Sequence, residues 1–182
     1  GKIGMPSGAL DVLAHVLATP GLDPALAAGG HALAGWLCYE AGRRDAAQAH
    51  AVQAVQRPIE DEALRATVLQ LVARLRWRMD RDPMAARALI EQALPLARAH
   101  GRVSTEASLL SHKAFLMANV DRDPDGAETL HRRALALWRQ CGNAHFVNAG
   151  RFNLAMNDVM RNRPALALPE LQALADDGRA LQ

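Results

Sequence analysis

Aromatic side chains are scarce in this sequence: three Trp, three Phe and one Tyr stand among 182 residues. Clustered β-branched residues are few as well, so an all-β fold is excluded for want of strand-forming material. Lysine is nearly absent. Of 21 basic residues only Lys2 and Lys113 are lysine, and the arginines are interleaved with Asp and Glu at a formal net charge of +2. No basic stripe forms, so nucleic acid is not an expected partner of this segment. The arginine excess reads more simply as the codon habit of a GC-rich genome.

Cysteine is limited to Cys38 and Cys141, with no CxxC and no second pair. Two isolated thiols suit a reducing compartment better than a disulfide framework. No apolar run reaches membrane-spanning length, because residues 8–37, the most apolar stretch, are broken by Asp11, His15, Pro20, Asp23 and Pro24. Nothing reads as a signal peptide, and Gly1-Lys2-Ile3-Gly4 before Met5 reads as a cloning remnant.

The motifs of common chemistry are missing too. Neither GxxxxGKS/T nor GxGxxG occurs. The histidines, at 15, 31, 50, 100, 112, 131 and 145, offer no i,i+4 pair and no HExxH, so no metal site is expected. Asp23, Asp82 and Asp123 read as helix caps, and Glu60-Asp61-Glu62 as negative charge at a helix start. Cys38 reads as a small buried apolar side chain. No catalytic residue, metal or cofactor is expected.

What remains is helix. Ala (37) and Leu (26) fill 63 of 182 positions, and both are strong helix formers. Starts are marked by Asp23-Pro24, Asp82-Pro83 and Asp123-Pro124, with Arg163-Pro164 as a weaker copy: the carboxylate accepts orphan amides and proline lacks an N–H that would go unpaired. The pattern predicts nine helices, over about 8–19, 23–41, 45–56, 60–80, 83–99, 103–120, 124–140, 144–160 and 164–177. Pro95 and Pro169 fall inside two of them and are expected to bend or shorten them. Short links make neighbours antiparallel.

The helices repeat. Arg81-Asp82-Pro83 aligns on Arg122-Asp123-Pro124 at an offset of 41, and Ala86, Leu89, Ala93, Leu94, Leu96 and Gly101 then fall on Ala127, Leu130, Ala134, Leu135, Leu137 and Gly142. Composition inflates the Ala and Leu matches but not the Arg-Asp-Pro or the closing Gly. A period near 40 with two helices per unit is the signature of a helical solenoid, in which stacking completes the core. Stripes of alanine (47 and 54, 86 and 93, 127 and 134) let helix backbones approach closely.

In these residues the chain resembles the tetratricopeptide repeat (TPR) family. That family places a small residue mid-way along the first helix, then Ala, an aromatic or Leu, and Ala along the second. Here the series runs Gly35, Ala47, Ala51, Ala54; Ala73, Ala86, Ile90, Ala93; Ala114, Ala127, His131, Ala134; and Ala155, Ala167, Leu171, Leu174. The resemblance covers 23–177, with 8–19 as half of an earlier unit, and implies an all-α right-handed superhelical solenoid of about four repeats over 7–178, flanked by residues 1–6 and a tail at 179–182. Repeats exceed the family's usual length, and the second and third carry one extra residue near Asp80 and Asp121. His131 stands where the family has an aromatic.

The resemblance also places the first helix of each pair on a concave groove. The matching positions are Trp36, Tyr39 and Glu40; Gln70, Arg74 and Arg78; Ser111, Phe115 and Asn119; and Phe152 and Met156. If the extra residue lies elsewhere, the middle repeats shift to Leu71, Leu75, Met79, His112 and Leu116. Asn153 matches one position of the family's carboxylate clamp, but the accompanying lysines are out of register.

Phrases such as Ala134-Leu135-Ala136-Leu137-Trp138 are similar to the long-repeat TPR regions of large bacterial ATPase and helix-turn-helix (LuxR-type) regulators. The implied function is a non-enzymatic scaffold that binds a protein or peptide, as the sensing segment of a cytoplasmic signalling or transcriptional regulator. Leu166, Leu168, Leu171 and Leu174 near the end suggest a segment cut from a larger chain, or ends covered by homo-oligomerisation. Self-association is therefore the alternative, and helical-repeat RNA binding a minor one.

Overall fold

The structure, a computed structural model, describes residues 5–56 and 58–180, with side chains over 8–56 and 58–177. Among the described residues it holds nine α-helices, two π-helical turns and no strand. The helices are α1 (Met5–Leu17), α2 (Pro24–Glu40), α3 (Arg44–Gln56), α4 (Glu62–Leu75), α5 (Pro83–Ala99), α6 (Val103–Leu116), α7 (Pro124–Gln140), α8 (Ala144–Met160) and α9 (Pro164–Ala180). The π turns, Arg76–Asp80 and Met117–Asp121, extend α4 and α6. Residues 1–4 of the expected leader and 181–182 of the expected tail lie outside the described residues.

Capping accounts for the starts. The Ala25 and Leu26 amides donate to Asp23 Oδ1 at 2.9 and 3.0 Å, and Asp82 and Asp123 receive Ala85 and Gly126 at 2.9 and 2.8 Å. Asp61 caps α4 in the same way, accepting from Ala63 and Leu64, and Asn143 caps α8. Pro95 and Pro169 shorten neither helix: α5 and α9 run through them to Ala99 and Ala180. Both prolines are exposed, so the carbonyl each leaves without its N–H partner faces water, which lowers the usual cost.

The extra residue of the second and third repeats is absorbed at the end of the first helix. Where it is absent, the chain closes with a bond from Arg43 N–H to the Cys38 carbonyl, and from Arg163 N–H to Asp158, each 2.8 Å and five residues back. Where it is present, the bond reaches six residues back, from Asp82 to Arg76 and from Asp123 to Met117, at 3.4 and 3.1 Å. The inserted residue widens the last turn to π, a usual outcome of single insertions into helices. Each close needs a left-handed residue: Gly42 and Asn162 without the insertion, Arg81 (φ 54°) and Arg122 (φ 59°) with it.

The chain divides into two compact units, Gly1–Gly101 and Arg102–Gln182, and each is described by itself. In the first, α2 packs on α1, α3 and α4, and α4 on α3 and α5. In the second, α6 packs on α7, α7 on α8 and α8 on α9. The alanine stripes sit at these seams: Ala47, Ala54, Ala86, Ala93, Ala127 and Ala134 are wholly buried. In the second unit Trp138 takes the position of Ala97 in the repeat, and it fits because Gly150 faces it. A Cβ on Gly150 would lie 3.0 Å from the indole and 3.1 Å from Leu135.

Candidate functional site

In the first unit the C-terminal halves of α2 and α4 lie side by side, and the five expected residues at their ends come together. Trp36, Tyr39, Glu40, Arg74 and Arg78, with Gly42 and Arg44, line an open pocket of about 430 Å³. The spacing explains this: 36, 39 and 40 are one face of α2, and Arg78, in the π turn that extends α4, follows Arg74 by four residues. Arg74 lays its guanidinium over the Trp36 ring, 3.8 Å from its centroid, and Tyr39 packs beside that ring at 5.5 Å. The stack fixes one cation against an aromatic face.

The electrostatics are unbalanced. Burial, and after it the charge of Arg78, lower the pKa of Arg74, while Glu40 works in the opposite direction. Among the described residues neither Arg74 nor Arg78 is ion-paired with a carboxylate. Arg44 was not foreseen at this site. It reaches in from the start of α3 and donates to the Met79 carbonyl at 3.2 Å. The Arg43-Arg44 doublet after Gly42 was its only sequence signal. Gln70 is a correction of a different kind: at 7% exposure it lies beneath the surface, one turn below Arg74.

The second unit places its candidates less uniformly. Ser111 is buried and accepts from Asn153 Nδ2 at 3.1 Å, so this pair ties α6 to α8 and does not face a ligand. Asn119 is exposed but spends its amide on the Phe115 carbonyl at 2.9 Å, inside the π turn. Phe115 is half-buried. Phe152 (49% exposed) and Met156 (39%) do reach the surface, and Val159 and Met160 continue their stripe along α8. Of the shifted register, Leu75 and Leu116 are each 1% exposed and belong to the core. Leu71, Met79 and His112 are half-buried.

Two histidines meet that no spacing along the chain would pair. His31 on α2 and His50 on α3 bring their Nδ1 atoms to 2.9 Å, with ring centroids 5.2 Å apart. One Nδ1 donates to the other there, and burial lowers the His50 pKa. His131, 4% exposed, is pushed by burial down to about 4. No group of three or more metal-ligating side chains occurs among the described residues. Both cysteines are free, Cys38 buried and Cys141 exposed. A second cavity in the first unit, about 440 Å³, is walled by Ala54, Val55, Ile59, Val68 and Leu89 between α3, α4 and α5. Among the described residues no helix is long and apolar enough to cross a membrane.

No family model and no curated protein matches the chain. Among solved structures it is similar to the crystal structure of BtubC (BKLC) from P. vanneervenii, with a TM-score of 0.66 and 21% identity over 95% of this chain and 71% of that one. At that identity the likeness is one of fold, an all-α arrangement of neighbouring helix pairs.

Proposed function

We propose that the chain is a non-enzymatic, TPR-like scaffold that binds a peptide or extended protein segment on the face formed by the first helices of its pairs. The observation that carries this reading is the Trp36, Tyr39, Arg74 and Arg78 pocket between α2 and α4. It combines an aromatic surface with unpaired guanidiniums, the residue types that anchor protein interfaces. Helix pairs hold these side chains in place before a ligand arrives, so binding does not have to order the receptor. The fuller version places the pairs in a right-handed solenoid that serves as the sensing arm of a bacterial cytoplasmic regulator. That version rests on the resemblance of the repeats.

The test is a display library of random dodecapeptides selected against the full chain. Peptides should be enriched that lose binding to the Arg74→Glu, Arg78→Glu double variant while its helicity by circular dichroism is unchanged. Failure to enrich any peptide, or enriched peptides that bind the double variant equally, overturns the assignment.

A second reading is favoured by one observation. Phe152, Met156, Val159 and Met160 form an exposed stripe at helical spacing along α8, and an exposed apolar stripe marks an interaction site. Self-association through this face would appear as a mass that grows with concentration in light scattering, and Met156→Glu should abolish it. A constant monomer mass removes this reading.

A further inference from the structure

We propose that the pocket between α2 and α4 takes a carboxylate side chain of the bound peptide, seated between the Arg74 and Arg78 guanidiniums beside the Trp36 ring. The inference rests on the peptide-binding reading and names the ligand chemistry of its main site.

Three features of the site point to a missing anion. Arg74, near the end of α4, and Arg78, in the π turn that follows it, are four residues apart, and their like charges oppose each other. No carboxylate of the described residues pairs with either, although acidic side chains neutralise arginines elsewhere in the same unit, as Asp80 does Arg76 at 2.9 Å. And Arg74 is held over the Trp36 ring at 3.8 Å, which fixes its cation in the pocket wall before an acceptor arrives. An arginine fork fits a carboxylate with two parallel hydrogen bonds, and the bond is strengthened where water is partly excluded.

Glu40 limits the choice of anion. It sits on the pocket lining with Arg44, Arg74 and Arg78, where it offsets one of three positive charges, and its carboxylate would oppose a polyanionic strand laid across the pocket more than a single carboxylate. The apolar wall of Trp36 and Tyr39 beside the arginines suits a peptide in which the acidic residue has an aliphatic or aromatic neighbour.

The experiment measures fluorescence anisotropy of a labelled dodecapeptide that alternates Leu and Glu, beside the same peptide with every Glu replaced by Gln. The Glu peptide should bind about ten- to a hundredfold more tightly, the range of a charge-assisted hydrogen-bonded pair. Arg78→Gln, at an exposed position, should erase most of that preference without loss of helicity. Glu40→Gln should tighten the Glu peptide a few-fold and leave the Gln peptide unchanged, an effect of opposite sign that a misfolded variant would not give.

Equal binding of both peptides, each lost in the double arginine variant, would overturn the carboxylate assignment and leave the peptide groove standing. Library-selected peptides that bind while the Glu peptide does not would do the same. A single-stranded RNA that binds more tightly than the Glu peptide, with steep salt dependence, would overturn it in favour of nucleic acid. If no library peptide binds, the groove reading fails and the inference with it.

Discussion

Acidification to about pH 5 should weaken the second unit by about 2 kcal/mol through one side chain, His131. The residue is 4% exposed, its Nδ1 has no hydrogen-bond partner among the described residues, and burial pushes its pKa down from 6.5 to about 4. The folded state therefore refuses a proton that the unfolded chain accepts. With the folded value depressed below the unfolded one, this histidine costs nothing above the unfolded pKa. Below it, stability falls as pH falls, until the folded value is reached. The slope is about 1.4 kcal/mol per pH unit across that window, which gives about 2 kcal/mol between neutrality and pH 5 and about 3 kcal/mol in the limit. The replacement to compare is His131→Ile, because Ile90 fills the equivalent repeat position at 1% exposure. Urea unfolding followed by tryptophan fluorescence, at about pH 7.5 and pH 5, should show the wild type losing about 2 kcal/mol more than the variant. Every other side chain is common to the two proteins, so its contribution cancels from the difference. Parallel losses in the two proteins, within about 0.5 kcal/mol, would refute the assignment of the proton to His131.

Packing and backbone give two further tests. Gly150→Leu places a side chain against Trp138 and Leu135 and should cost about 3 kcal/mol or more in urea midpoint terms, and Trp138→Ala in the same chain should recover much of it. Additive losses from the two changes would show that the glycine and the indole are not a matched pair. Arg122→Gly should raise stability by about 0.5–1 kcal/mol, since a left-handed residue with a Cβ is replaced by one without. A thermal midpoint unchanged or lowered would argue against strain at the π turn.

Much of the fold was legible because helix ends are written locally. Asp-Pro combines a cap with a residue that prefers the first turn, and α2, α5 and α7 begin at those prolines. The inserted residue near Asp80 and Asp121 was visible from the repeat alignment, but its form was not. Whether an extra residue lengthens a loop or widens a turn depends on how the following helix packs, and that is a tertiary matter. The site shows the same boundary. Arg74 and Arg78 could be put on one side of their helix from spacing, and Trp36 was set beside them only by the resemblance of the repeats. Gln70 has the same spacing and is buried, because the middle of α4, from Val68 to Ala73, is packed among its neighbours while its first turn is not. Arg44 and the His31–His50 pair depend on a second helix lying alongside, and no i,i+4 search along one helix could reach them. His131 was read as a departure from an aromatic position, and its burial follows from the repeat, but the cost of that burial in acid needed the surrounding core.

The most direct test of the α2 and α4 surface is a nitrogen–proton correlation spectrum of the full chain titrated with a library-selected peptide. Shifts are expected at the Trp36 indole N–H and at backbone amides near Tyr39, Arg44, Arg74 and Arg78, with α3 and α5 unmoved around Val55 and Leu89. Shifts confined to the α3–α5 cavity or to the apolar stripe of α8, with Trp36 silent, would contradict the assignment of the binding face.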